Sequence, residues 1–269
     1  GATNAVTDLA LASFSNGIAN NPVTNKAYLV SGNTVVVVDG ATNTILKTVA
    51  VGTNPYAIAV NPLTNRIYAA NSSNNNVTVI DGATDTVVTT VPVGTYPLYI
   101  AVNPLTNRIY VANNSSNNVT VINGATNTVV ATVSAGTSPI AIAIDLAANK
   151  IYVANSGTVG VNSTTTVIDG ASNTRITNVG SGVSPRRLAV NPHTQKVYVA
   201  NQNSSSVTVI DPQPAWNIPL LTLSSALPGN VSSSATPTFT FNKVDGIGYL
   251  PITPPVQGFY YQVDTLGGA

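Results

Sequence analysis

The chain has 269 residues, 7% of them charged and 43% apolar, with ten Lys or Arg against nine acidic residues, one His and a formal net charge of +1. This balance gives no electrostatic case for nucleic acid, and the lack of Cys excludes disulfides and thiolate metal sites. No apolar run of about 18 residues is present to span a bilayer as a helix.

Charged residues fill about a quarter of an ordinary domain. Here Asn, Thr and Ser supply the wet surface instead, which leads us to expect an extracellular or cell-surface address. No secretory leader is visible, and a start at Gly1 rather than Met reads as processing or as a piece of a longer chain.

In chain order, the sequence opens inside a repeat. Gly1-Ala-Thr-Asn matches Gly40-Ala-Thr-Asn and Gly124-Ala-Thr-Asn, which stand before the last strand of a unit. Residues 5–13 are therefore expected as an outer strand separated from its own sheet. Units follow at 16–51, 54–93, 96–135, 138–181 and 184–223. Their shared block is Asn103-Pro-Leu-Thr-Asn-Arg-Ile-Tyr, repeated from Asn21, Asn61 and Asn191, with a weaker copy from Asp145. Pro22, Pro62, Pro104, Leu146 (as stand-in) and Pro192 are spaced 40 to 46 residues apart. That period, filled with short Thr- and Val-rich runs, predicts one four-stranded propeller blade per unit rather than a helical solenoid. In the second unit the strands are expected near 56–61, 66–71, 76–81 and 86–92. The fold class is all-β: a β-propeller of five repeat units, with a sixth blade available from the two termini.

The turns have local causes. Pro62 after Asn61 favours a tight reversal before Arg66. Asp39-Gly40, Asp81-Gly82, Asn123-Gly124 and Asp169-Gly170 suit reversals with positive φ at Gly. Recurrence at turn positions marks these aspartates as structural. A calcium loop needs alternating oxygen ligands close together, and they are missing.

Tyr110-Val-Ala-Asn113, Tyr152-Val-Ala-Asn155 and Tyr198-Val-Ala-Asn201, with the variants Tyr68-Ala-Ala-Asn71 and Tyr28-Leu-Val-Ser31, recur beside the Asn-Pro and Asp-Gly turns. In these residues the chain resembles the YVTN β-propeller repeat proteins of bacterial and archaeal surfaces, with Ala in the third tetrad position. The resemblance covers residues 1–223 and implies a propeller, a secreted or surface location and no assigned chemistry. Read from the residues alone, the tyrosines fill the space between adjacent blades, with hydroxyls that need partners.

Residues 212–269 depart from the repeat. Asp211-Pro212-Gln-Pro214 interrupts the usual turn, and residues 218–223 can still close the fifth unit, leaving 224–269 as a β-rich tail. They are expected to hold three strands, at 238–241, 248–250 and 256–263, and they resemble the opening of an immunoglobulin-like module that follows the propeller in some YVTN proteins. Two arrangements satisfy their edges. They join residues 5–13 as a sixth blade, or they complete a neighbouring molecule by strand addition, which grows a fibre when the contact does not close.

The inventory of chemistry is short. His193 stands at the turn position of Leu63 and Leu105, without a second His or a Cys to anchor a metal. No catalytic residues, metal or cofactor are expected. A ligand site is expected where the connections between blades meet the central channel. The positions there are Asn16, Tyr56, Leu98, Ile140 and Arg186, followed by Ala57, Tyr99, Ala141 and Arg187. Of these, Tyr56, Tyr99, Arg186 and Arg187 are the candidates for holding a small anionic or glycan ligand. Asn71, Asn76, Asn114, Asn118, Asn162, Asn203 and Asn230 head Asn-x-Ser/Thr sites, candidates for glycosylation in a cell that performs it. Three readings follow in order. The first is a non-enzymatic surface protein with protein partners or self-association. The second is a channel-mouth binding module, and the third a propeller lyase or lactonase.

Overall fold

The computed structural model describes residues 8–13, 15–158 and 163–212. Residues 224–269, with the expected sixth blade or immunoglobulin-like module, lie outside the described residues. So does the expected fourth strand of the fifth unit.

Nineteen strands are described, all antiparallel with their neighbours in sequence. The first sheet holds β1 (Ser15–Asn21), β2 (Lys26–Ser31), β3 (Thr34–Asp39) and β4 (Ile45–Ala50). The second holds β5 (Pro55–Asn61), β6 (Arg66–Asn71), β7 (Asn76–Asp81) and β8 (Thr86–Pro92). The third holds β9 (Pro97–Asn103), β10 (Arg108–Asn113), β11 (Asn118–Asn123) and β12 (Thr128–Ser134). The fourth holds β13 (Pro139–Asp145), β14 (Lys150–Asn155), β15 (Thr164–Asp169) and β16 (Thr174–Gly180). The fifth is described as β17 (Pro185–Val190), β18 (Val197–Asn201) and β19 (Ser206–Ile210). Consecutive sheets pack through their first strands, from β1 to β5, β9, β13 and β17. This is the repeat architecture of a five- or six-bladed propeller, and the expected strands of the second unit match β5 to β8 within a residue.

Residues 8–13 are not a strand, contrary to the expectation for 5–13. Ser13 instead ties to Ser31, its N–H donating to Ser31 Oγ at 3.2 Å and its carbonyl accepting from that hydroxyl at 2.9 Å. Ser31 pairs with Ser15 at the start of β1. The same contact joins Ser72 to Asn54, so Ser13 is the run-in to β1, and the residues before it carry no strand where β4 stands before Asn54.

The core is the same interface used four times. Each of the first four sheets turns its tetrad Tyr toward the next. Tyr28 packs with Ile58, Ile67, Ala69 and Ile80 of the second sheet, and Tyr68 with Ile100, Ile109 and Ile122 of the third. Tyr28, Tyr68, Tyr110 and Tyr152 are all at most 1% exposed. Apolar burial at about 25 cal/mol per Å² makes these seams the main favourable term.

Polar side chains fix the seams. Asn21, Asn61 and Asn103, the Asn of each Asn-Pro turn, donate from Nδ2 to Oδ1 of Asn65, Asn107 and Asn149 in the next sheet at 2.7, 2.8 and 2.9 Å. Those acceptors sit at φ of 48–51°, which Asn tolerates better than most residues. The fourth sheet carries Asp145 instead of Asn, and a carboxylate has no N–H to pass on. Its Oδ1 accepts from Ala147 and Ala148 N–H.

The Asp-Gly turns differ from expectation. Positive φ falls on Asn43, Asp85, Asn127 and Asn173, three residues after the Gly. Glycine is needed for a close approach instead. A Cβ on Gly82 would lie 2.8 Å from Asn65 Cγ, and one on Gly40 would lie 2.7 Å from the Asn25 carbonyl. The preceding Asp does the turning. Asp39 Oδ1 accepts from Ala41 and Thr42 N–H, and Asp81 and Asp169 repeat the pattern.

Candidate functional site

Every first strand begins with a bulge. The register slips between Pro55 and Ala57, between Pro139 and Ala141, and between Pro185 and Arg187, and an equivalent slip lies near Pro97. In β1 it falls between Ser15 and Ile18. A bulge takes one residue out of the alternation and re-aims its side chain. The residues so placed include Tyr56, Leu98, Ile140 and Arg186, the positions expected at the channel mouth.

Part of that set converges. A cleft of about 330 Å³ is lined by Gly17, Ile18, Tyr56, Ile58, Tyr99 and Arg187, together with Ala57, Leu98 and Ile100. The Arg187 guanidinium lies over the Tyr99 ring, 5.7 Å from its centroid, although β17 and β9 belong to sheets two places apart. Arg187 Nη1 also donates to the Arg186 carbonyl at 2.9 Å. Tyr56 is 38% exposed at the rim. Gly17 and Ile18 enter from β1, at the repeat positions of Ala57 and Ile58.

Arg186 goes elsewhere. Its Nε donates to Gln202 Oε1 at 2.6 Å, and it lines a second cleft of about 410 Å³ with Ala200, Gln202 and Val207 on the far face of the fifth sheet. Adjacent residues at a bulge thus point into different clefts. The side chain of Asn16 and the residues from 213 onward lie outside what is described.

The fifth sheet's far face is the second surface of interest. Tyr198 occupies the position of the four buried tetrad tyrosines, yet it is 41% exposed, and Val207 and Val209 beside it are 60% and 52% exposed. Their counterparts Val77, Val79, Val119 and Val121 have no exposure. Along the outer edges, β4, β8, β12 and β16 each pair through a bulged register. β19, like β3, β7, β11 and β15, pairs with the second strand of its sheet in unbroken register, and its other edge has no strand partner among the described residues.

The expected glycosylation sites are not equivalent. Asn71 is fully buried and donates to Asn76 Oδ1 at 2.7 Å and Thr78 Oγ1 at 2.9 Å. A sugar on Asn71 needs that hairpin end opened. Asn76 and Asn118 are half-buried acceptors, Asn118 taking the Asn113 amide at 2.8 Å. Asn114 is half-buried and donates to the Pro139 carbonyl, whereas Asn203 is exposed. Asn162 and Asn230 lie outside the described residues. His193 is exposed in its turn, where its N–H donates to Asn191 Oδ1.

Among the described residues no three His, Cys, Asp or Glu side chains gather to hold a metal ion, and no helix is long and apolar enough to cross a membrane. The shifted carboxyls are turn groups. Arg66 holds Asp81 down to about 2, opposed by partial burial and helped by the N–H groups of Thr84 and Ala83. Backbone N–H groups of Thr42 and Ala41 lower Asp39, and Ser172 does the same for Asp169.

The chain matches no family model and no curated protein. Among solved structures it is similar to a Kuenenia stuttgartiensis hydrazine synthase, with a TM-score of 0.68 at 22% identity over 78% of this chain and 66% of that one. The match spans just under two thirds of the other chain. At this identity the likeness is one of fold alone.

Proposed function

We propose that the chain is a non-enzymatic scaffold of the YVTN propeller type, exposed at or beyond the cell surface, that acts through protein contacts. The observation that supports this reading is the uncovered Tyr198 face. Four copies of the same face form closed seams, so the fifth is already shaped to receive a partner of the same architecture. An exposed apolar face beside a strand edge with no strand partner among the described residues invites strand addition. The partner in this reading is a second copy, which offers a strand to β19 and covers Tyr198, Val207 and Val209. Head-to-tail repetition of such a contact grows a filament unless it closes into a ring. A sugar coat at Asn203, the exposed sequon among those described, fits the same location.

Light scattering and electron microscopy of the full chain over a concentration series test the reading, with Val207→Lys/Val209→Lys as the comparison. Association that rises with concentration and is lost in the double variant is expected. A wild-type chain of single-chain mass throughout, with the variant melting well below it, would assign the face to closure within one chain and overturn self-association.

A further inference from the structure

We propose that the channel mouth binds a small ring bearing a carboxylate. Arg187 anchors the carboxylate, and Tyr99 and Tyr56 provide the walls for the ring. The proposal is independent of the scaffold reading, because this cleft and the uncovered face of the fifth sheet share no residue.

The repeats supply an internal comparison. A residue that every blade needs recurs in every unit, as Tyr28, Tyr68, Tyr110, Tyr152 and Tyr198 do. Arg187 does not recur, for its counterparts are Ala57, Tyr99 and Ala141. Tyr56 likewise stands where other units have Leu98, Ile140 and Arg186. Blade architecture therefore does not account for these side chains, and the bulged strand starts bring three of them to one cleft.

Charge defines the ligand class. Among the described residues, Arg187 is the one charged residue lining the cleft. The ion pairs among the described residues are Lys26–Asp85, Arg66–Asp81 and Lys196–Asp211, so no carboxylate neutralises Arg187 there. Stacking on Tyr99 and the bond to the Arg186 carbonyl orient the guanidinium while occupying one of its five N–H donors. An oriented fork of this kind pairs with a carboxylate through two parallel bonds. A single positive charge suits a monoanion and not a polyanion such as nucleic acid. The remaining wall is aromatic and aliphatic, which favours a ring over a bare inorganic ion. The volume of about 330 Å³ lies near the lower end of small-molecule sites and fits a single ring with its substituents.

Two sources carry this chemistry, a sugar acid and an aromatic acid. Titration calorimetry of the full chain with sodium glucuronate, sodium benzoate and neutral glucose separates them. Binding of one or both anions in the millimolar range or tighter is expected, with glucose silent. Glucuronate alone identifies a sugar acid, benzoate alone an aromatic acid, and both the shared ring carboxylate. Arg187→Gln should weaken anion binding by about tenfold or more, and Arg187→Lys by less, whereas Arg175→Gln on the exposed strand β16 should leave it unchanged. Arg187 is exposed, so its variants should melt with the wild type. Tyr99→Leu should also weaken binding, because the guanidinium loses the ring that orients it. The proposal is overturned if neither anion binds, if Arg187→Gln binds as the wild type does, or if glucose binds as tightly as glucuronate.

Discussion

At the scale of residues, the four buried tetrad tyrosines do not have equal partners. Tyr28 donates its hydroxyl to Asp85 Oδ1 at 3.3 Å, and Lys26 holds the other carboxylate oxygen at 2.7 Å. The hydroxyls of Tyr68, Tyr110 and Tyr152 have no hydrogen-bond partner among the described residues. The residues equivalent to Asp85 in the third and fourth sheets are Asn127 and Asn173, whose Oδ1 atoms are also unpaired. Replacing Tyr110 with Phe should then be neutral or stabilising by about 1 kcal/mol, since it removes a buried group without a bond. Tyr28→Phe should destabilise by about the same amount, because it strips a partner from Asp85. Chemical denaturation of the two variants checks the opposite signs. Burial also pushes Tyr68 and Tyr110 up to about 12, offset only in part by Arg66 and Arg108. An unfolded tyrosine ionises near pH 10, so the native state holds its phenol protons longer. The contribution is whole below about pH 10 and is lost as the pH rises through about 12, amounting to roughly 3 kcal/mol per tyrosine at most. Urea midpoints should fall steeply over that interval, and Tyr110→Phe should make the fall shallower.

Turns and bulges act at the scale of the element. Gly82 lies under the Asn65 side chain and donates its N–H to the Asn65 carbonyl at 2.9 Å. Gly82→Ala should destabilise by about 1–3 kcal/mol, because the added methyl displaces the turn that receives the inter-sheet bond from Asn21. At Gly180, the end of β16, a methyl group would meet nothing within 4 Å, so Gly180→Ala should be neutral or slightly stabilising. Thermal melting of the pair distinguishes a packing requirement from a general glycine effect. The bulges divide by place. Those on outer strands blunt edges that would otherwise pair with other chains, whereas those on first strands set the side chains of the channel mouth.

For the whole molecule, stability should be graded along the sheets. The second, third and fourth sheets are covered on both faces by neighbours, and the fifth exposes Tyr198, Val207 and Val209. Backbone amides in β18 of the dilute protein should therefore exchange faster than those in β6, β10 and β14. Exchange in β18 should slow at concentrations where the chain associates. Equal protection of β18 and β10 in a dilute monomer would remove the distinction on which the contact face rests.

The repeat period, the strand positions of the second unit and the packing of Tyr28, Tyr68, Tyr110 and Tyr152 between sheets were legible in the sequence, because they follow from local pattern and recurrence. The exposure of Tyr198 and the unpaired hydroxyls were not. Five near-copies of one unit amount to an alignment carried within a single chain. Three features depended on residues that meet only in the folded molecule. Gly82 of its Asp-Gly turn answers to Asn65, directly across the β6–β7 pair, and not to its own φ. Residues 8–13 keep the repeated connection, Ser31 to Ser13 as Ser72 to Asn54 and Ser156 to Ser138, yet form no strand, which the repeat by itself does not reveal. Arg186 and Arg187 are neighbours in sequence, yet a bulge sends one to Gln202 and the other to Tyr99. Sequence determined the repeated unit because hydrogen-bonded strands and tight turns are short-range. The tertiary structure alone decided which exceptional side chains share a cleft, because that depends on how one sheet is rotated against the next.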